Sequence, residues 1–199
     1  FKEKGIKCIF SYDFFQVLSY TEQNRNIPEQ LKQQEEFVEN KLSDKIRTNA
    51  EIVSFIKNVI DLKNKPKRYI DYSNIEVLYA DNYETAKEIV RHYVNDKNYK
   101  FISYTPSRIR SDIDQFRDYV NTHHIIGQEF DNVIFSMDRN FRYTAEGRLQ
   151  GKKHPNPDYI FYKLWYQGVS RAREKLCILI IDNEELFEKI LSVKLQFEN

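Results

Sequence analysis

A chain of 199 residues, 41% hydrophobic and 31% charged, has the make-up of a soluble globular protein with room for one substantial domain. Its 31 Lys+Arg against 30 Asp+Glu leave a net charge of +1, which excludes a polybasic, histone-like binder but not a local basic groove. The longest apolar run, Cys177 to Ile181, is too short to cross a bilayer, no charged-then-apolar leader opens the chain, and no membrane association is expected.

The chain opens at Phe1 and carries one methionine, Met137, so it is read as a piece of a longer protein. Ile6 to Phe10 reads as a short buried strand. From Ser19 to Asp44 the composition turns polar, as in a linker with some helix and a domain boundary. Thr48-Asn49-Ala50-Glu51 has the spacing of a capping box, followed by Ile52, Val53, Ile56, Val59 and Ile60 at helical spacing and a breaker at Pro66. Ile75–Ala80 predicts a strand. Asp81-Asn82-Tyr83-Glu84 predicts a second capped helix, with Ala86, Ile89, Val90, Tyr93 and Val94 on one face, and Lys100–Tyr104 the next strand. A strand–helix–strand unit implies parallel pairing through a right-handed crossover.

Val133–Phe135 predicts a buried strand and Phe141–Gly151 a surface hairpin. Asn156-Pro157-Asp158 predicts the head of a helix running to about Arg173, since proline suits the first helical position and an acid the first turn. Leu176–Ile181, nearly all aliphatic, predicts a central parallel strand covered on both faces, and Glu184–Leu195 a closing helix. Alternating strands and helices with short loops predict a three-layer α/β domain. Cys8 and Cys177 sit in apolar runs and read as buried reduced thiols, which points to a cytoplasmic setting.

None of the five glycines, Gly5, Gly127, Gly147, Gly151 and Gly168, precedes a Lys-Ser or Lys-Thr pair at phosphate-loop spacing. Two stretches carry the functional signal: His123-His124-Ile125-Ile126-Gly127-Gln128-Glu129-Phe130, and about forty residues later Tyr166-Gln167-Gly168-Val169-Ser170-Arg171-Ala172-Arg173. In this order they resemble motifs V and VI of superfamily-1 helicases. Ile46-Arg47-Thr48-Asn49 resembles motif IV, and Ser11-Tyr12-Asp13-Phe14-Phe15-Gln16 resembles motif III. The likeness is greatest to the Schlafen-type DNA/RNA helicase domain family, with two departures: Tyr12 stands where that family commonly has glycine, and Ile126 replaces a frequent lysine.

The resemblance implies a RecA-like second domain of a P-loop NTPase over 31–199, preceded over 1–30 by the tail of a first such domain. It implies ATP with Mg as cofactor, held mainly by the chain's own upstream RecA-like domain, and single-stranded DNA or RNA as partner. The fragment alone is then expected to hydrolyse nothing. Arg171 and Arg47 would sense phosphate, because phosphoryl transfer spreads negative charge that a fixed guanidinium stabilises. Gln16 would carry nucleotide state between the motor halves, and Glu129, behind Gly127, would accept hydrogen bonds from ribose hydroxyls. Arg171 and Arg173, two apart on the expected helix, would point about 200° away from each other, so only one can face a nucleotide; the motif match selects Arg171, with Gln167 one turn earlier on its face, and leaves Arg173 to the solvent side.

The adjacent pair His123-His124 lacks a companion set at metal-ligand spacing, so no metal is expected. Single-strand binding needs cations along a groove and flat side chains that stack on bases. The candidates are His123, Tyr104 and Arg108, supported by basic residues around Lys63–Arg68, Arg110 and Lys152-Lys153 and by the aromatics Phe141 and Tyr143. The rival readings are a RecA-like switch ATPase acting on a protein partner and a non-catalytic nucleic-acid-binding module.

Overall fold

The computed structural model describes residues 9–34, 38, 40, 49–64, 66, 68–108, 111–151 and 156–196. Cys8, Arg47, Thr48, Arg110 and the Lys152-Lys153 pair lie outside them, and with them the expected motif IV arginine. Of the strand expected over 6–10, residues 9 and 10 are described, and Ile9 and Phe10 are exposed and outside any strand.

The polar stretch after Leu18 forms two short helices, α1 (Tyr20–Arg25) and α2 (Ile27–Lys32). A capping box starts α1: the Ser19 hydroxyl accepts from Glu22 N–H and the Glu22 carboxylate accepts from Ser19 N–H. Asn26, in the left-handed region at φ 45°, turns the chain from α1 into α2. Helix α3 (Ala50–Ile60) is capped by Asn49, whose side chain accepts from Glu51 N–H and Ile52 N–H. The Thr48 end of the expected box lies outside the described residues. The Glu51 carboxylate accepts two hydrogen bonds of 2.8 Å from Asn74 and so ties α3 to the next strand.

Strand β1 (Ile75–Ala80) and helix α4 (Tyr83–Asn95) follow the expected limits, with Asn82 as the cap that accepts from Thr85 N–H. Strand β2 (Lys100–Ile102) is shorter than its apolar run, and β3 (Phe130–Met137) is longer. A small antiparallel hairpin, β4 (Phe141–Tyr143) with β5 (Leu149–Gly151), leads to α5 (Phe161–Val169), β6 (Ala172–Ile181) and α6 (Glu184–Leu195).

The strands outside this hairpin form one parallel sheet in the order β1-β6-β3-β2. Strands β1 and β2 are parallel, as expected of a strand–helix–strand unit, but they are not neighbours: β6 and β3 lie between them. The route from β1 over α4 to β2 crosses one face of the sheet. The route from β3 over α5 to β6 runs back over the other face. Reversing both direction and face keeps the same hand of crossover.

Strand β6 shows why the fold has three layers. Leu176, Ile178 and Ile180 enter the core beneath α3, α5 and α6, while Cys177, Leu179 and Ile181 enter the core beneath α4. Successive side chains on a strand point to opposite faces, so a strand apolar at every position needs helices on both sides. No helix among the described residues is long and apolar enough to cross a membrane.

The greatest departure from the sequence reading lies at α5. The expected helix over 156–173 is confined to Phe161–Val169. At its head the Asp158 carbonyl accepts from Tyr20 N–H, and its carboxylate accepts from Ser107 Oγ and Arg108 N–H, so this residue serves loop contacts instead of a helical turn. At its tail Ala172 pairs with Phe130, and β6 starts four residues before the aliphatic run. Arg173 therefore sits on a strand, and the helical angle between Arg171 and Arg173 does not apply.

Candidate functional site

The two motif-like stretches converge at the entrance of adjacent strands. Gln128 and Glu129 lead into β3, and Ser170 and Arg171 lead into β6. Phe130 N–H donates to the Arg171 carbonyl at 2.9 Å, and Arg171 Nη1 lies 3.5 Å from the Gln128 carbonyl across 43 residues of sequence. Gly127, just before, is in the left-handed region at φ +82°, with open space where a Cβ would stand. A side chain there would strain the turn, and the bare backbone leaves room for a ligand to approach.

Arg171 and Glu129 nevertheless face different surroundings. Arg171 is 7% exposed. Its Nε donates to the Gln167 carbonyl at 3.2 Å and its Nη2 to Gln167 Oε1 at 3.1 Å. Gln167 is itself buried, and its Oε1 faces this guanidinium; the residue expected beside the nucleotide is a holder of Arg171. The Glu129 side chain is exposed and lines a shallow cleft of about 420 Å³ with Lys100, Asp131, Asn132 and Arg173. Arg173 Nη1 lies 3.9 Å from Asp131 Oδ1, an exposed pair that stabilises little by itself. Of Arg47, Glu129 and Arg171, to which the resemblance gives nucleotide roles, Glu129 and Arg171 flank the first rung of β3 and β6, and Arg47 lies outside the described residues.

Gln16 ends a 3-10 turn, Phe14–Gln16, and is exposed. This turn is docked on α5: the Phe15 and Tyr166 rings stack with centroids 4.4 Å apart, and Lys163 Nζ donates to the Phe14 carbonyl at 2.9 Å. Leu18, just after it, is buried in the main core.

Two of the nucleic-acid candidates come together at the other end of the sheet. His123 Nδ1 hydrogen bonds with Thr105 Oγ1, and its ring packs 5.3 Å from that of Tyr159. Burial lowers its pKa below the ordinary histidine range, although Glu22 opposes the shift, so the ring is neutral at pH 7. Arg108 is exposed, and its N–H is anchored by Asp158, next to Tyr159. Burial disfavours ionisation of Asp158, but hydrogen bonds from Ser107, Arg108 and Tyr159 outweigh it and hold the carboxyl below its usual range.

Tyr104 does not join them. It is 4% exposed, packs against Phe135, Phe141 and Phe161, and donates its hydroxyl to the Ser136 carbonyl at 2.8 Å. Its ring is core and has no face for a base. Phe141 is likewise core, and half-buried Tyr143 donates to the Val59 carbonyl at 2.8 Å. The sequence reading missed Lys163, which is fully buried. Its signal was a lone cation inside the apolar run Phe161–Val169. Burial lowers its pKa against the opposing influence of Asp13.

No family model matches the chain, and no curated protein does. A solved structure, the C-terminal domain of a possible DNA helicase from Lactobacillus plantarum WCFS1, is similar over 73% of this chain and 94% of its own, at 16% identity and a TM-score of 0.42. A likeness that distant carries no argument about activity.

Proposed function

We propose that this chain is the second nucleotide-clamping domain of a helicase-type motor, a RecA-like α/β unit that meets Mg-ATP held mainly by a separate domain and moves along single-stranded DNA or RNA. The observation that carries the reading is the first rung between β3 and β6, which sets the backbones of Glu129 and Arg171 side by side although they lie in stretches of sequence far apart. In this reading Glu129 accepts from ribose hydroxyls across the gap left by Gly127, and Arg171 stabilises charge on the departing phosphate. Gln16, carried on the turn docked to α5, faces the other half of the motor, and His123 and Arg108 line the nucleic-acid path. Arg47 is assigned to the phosphate on its motif alone. The narrower likeness to Schlafen-type helicase domains likewise rests on the motifs.

ATP supplies the free energy; this chain's residues orient it and exclude water around it. The test is ATP hydrolysis by the intact protein, with and without single-stranded DNA or RNA. Stimulation by the nucleic acid, abolished by Arg171→Ala, is expected. Unchanged turnover in Arg171→Ala overturns the reading.

A second reading, a non-catalytic nucleic-acid-binding module, is favoured by one observation: Arg171 is 7% exposed and already engaged by Gln167. Under it, Arg171→Ala lowers stability and leaves the intact protein's function in place.

A further inference from the structure

Helix α5 carries a line of buried polar groups through an otherwise apolar core. Lys163 is 0% exposed, Gln167 is 1% exposed, and Arg171, just past the helix end, is 7% exposed. Lys163 and Gln167 are four apart and so share one helical face.

At the head of this line, Lys163 Nζ donates to the Phe14 carbonyl and lies 3.7 Å from the centre of the Phe14 ring. At the tail, Gln167 holds Arg171 twice, by its carbonyl and by Oε1. The orientation of the Gln167 amide follows from the second bond: a guanidinium has donors only, so the oxygen must face it. That orientation turns Nε2 into the core, where it is buried without a hydrogen-bond partner among the described residues. An apolar side chain of the same size would leave no orphan donor, so packing does not account for an amide here. Holding Arg171 does. Beside the tail clamp the helix packs closely on the sheet: a Cβ added at Gly168 would stand 2.0 Å from Phe135 Cε2.

We propose that Lys163 and Gln167 are positioning residues: α5 is one rigid bar that fixes the Gln16 turn at one end and Arg171 at the other, so the two reach the nucleotide in a set relation. The proposal deepens the motor reading and rests on it for its catalytic consequence, while its structural half stands alone.

Two experiments separate them. In the 199-residue chain, water exchange of the Arg171 Nη2 hydrogens, which face Gln167 Oε1, followed by NMR, should speed up about tenfold in Gln167→Leu, and Gln167→Glu, which keeps the acceptor, should restore protection. Unchanged exchange in a folded Gln167→Leu overturns the holding role. In the intact protein, Gln167→Leu and Lys163→Met should each lower kcat by about tenfold or more with KM for ATP within about twofold. Thermal midpoints near that of the parent would show that folding is not the cause. Unchanged kcat in both, alongside a kcat lost in Arg171→Ala, overturns the positioning role and keeps the motor. Unchanged kcat in Arg171→Ala overturns the motor reading and leaves the exchange result to judge the holding role.

Discussion

Gly168 packs directly against the ring of Phe135: a Cβ built on the glycine would stand 2.0 Å from Cε2 and 2.5 Å from Cδ2. This contact sets how closely α5 approaches β3, and through α5 it sets the reach of Arg171. The ring is fully buried, so it cannot swing away without displacing the core around it.

Gly168→Ala should therefore destabilise the fold by about 1–3 kcal/mol, the usual cost of overpacking, in spite of alanine's better helix propensity. Chemical denaturation measures it. Parent-like stability would mean that α5 can lift from the sheet.

Tyr104→Phe should cost about 1 kcal/mol, the worth of a buried hydrogen bond, through loss of the bond to the Ser136 carbonyl. It should leave affinity for single-stranded DNA unchanged, because the ring is buried in the core. A weakened affinity at unchanged stability would return Tyr104 to the binding surface.

Arg108→Ala and His123→Ala separate charge from shape on the nucleic-acid path. Arg108 is exposed, so its loss should weaken binding and reduce the slope of log Kd against log salt by about 0.7, the value for one phosphate contact on a single strand. His123 is held neutral by burial, so its removal should weaken binding without altering the slope. An unchanged slope in Arg108→Ala removes that residue from the path.

Asp114 gives a pH signature independent of function. It is 7% exposed, and burial, reinforced by nearby Asp138, pushes its pKa up to about 6 from an ordinary 3.8, against the hydrogen bond it accepts from Ser111. A carboxyl that holds its proton more tightly in the folded state favours folding below the unfolded pKa, and that advantage is lost as pH rises through the folded one. Relative to Asp114→Asn, the parent should thus lose stability between pH 4 and 6 and hold a constant difference above. Urea titrations across that range measure the difference; a flat one would show that Asp114 ionises freely.

Much of the architecture follows from local sequence. Strand β1 and helix α6 have the limits their periodicity predicts, because alternation and helical spacing are properties of a few consecutive residues. Asn49 and Asn82 cap their helices with side-chain bonds that reach two or three residues ahead, again a local matter. The unbroken aliphatic run of β6 implied cover on both faces, and both layers are there.

Only the tertiary structure decided where α5 gives way to β6. Residues 170–175 are compatible with continued helix, and pairing of Ala172 with Phe130, forty-two positions away, claims them for the sheet. The same distance in sequence hid the use of the polar groups on α5. Whether Lys163 meets solvent or the Phe14 carbonyl, and whether Arg171 points outward or folds back on Gln167, depends on what packs against them. A side chain's type limits the bonds it can make. Which bonds it does make depends on neighbours brought close by folding, because a buried charge is stable only where such partners stand within reach.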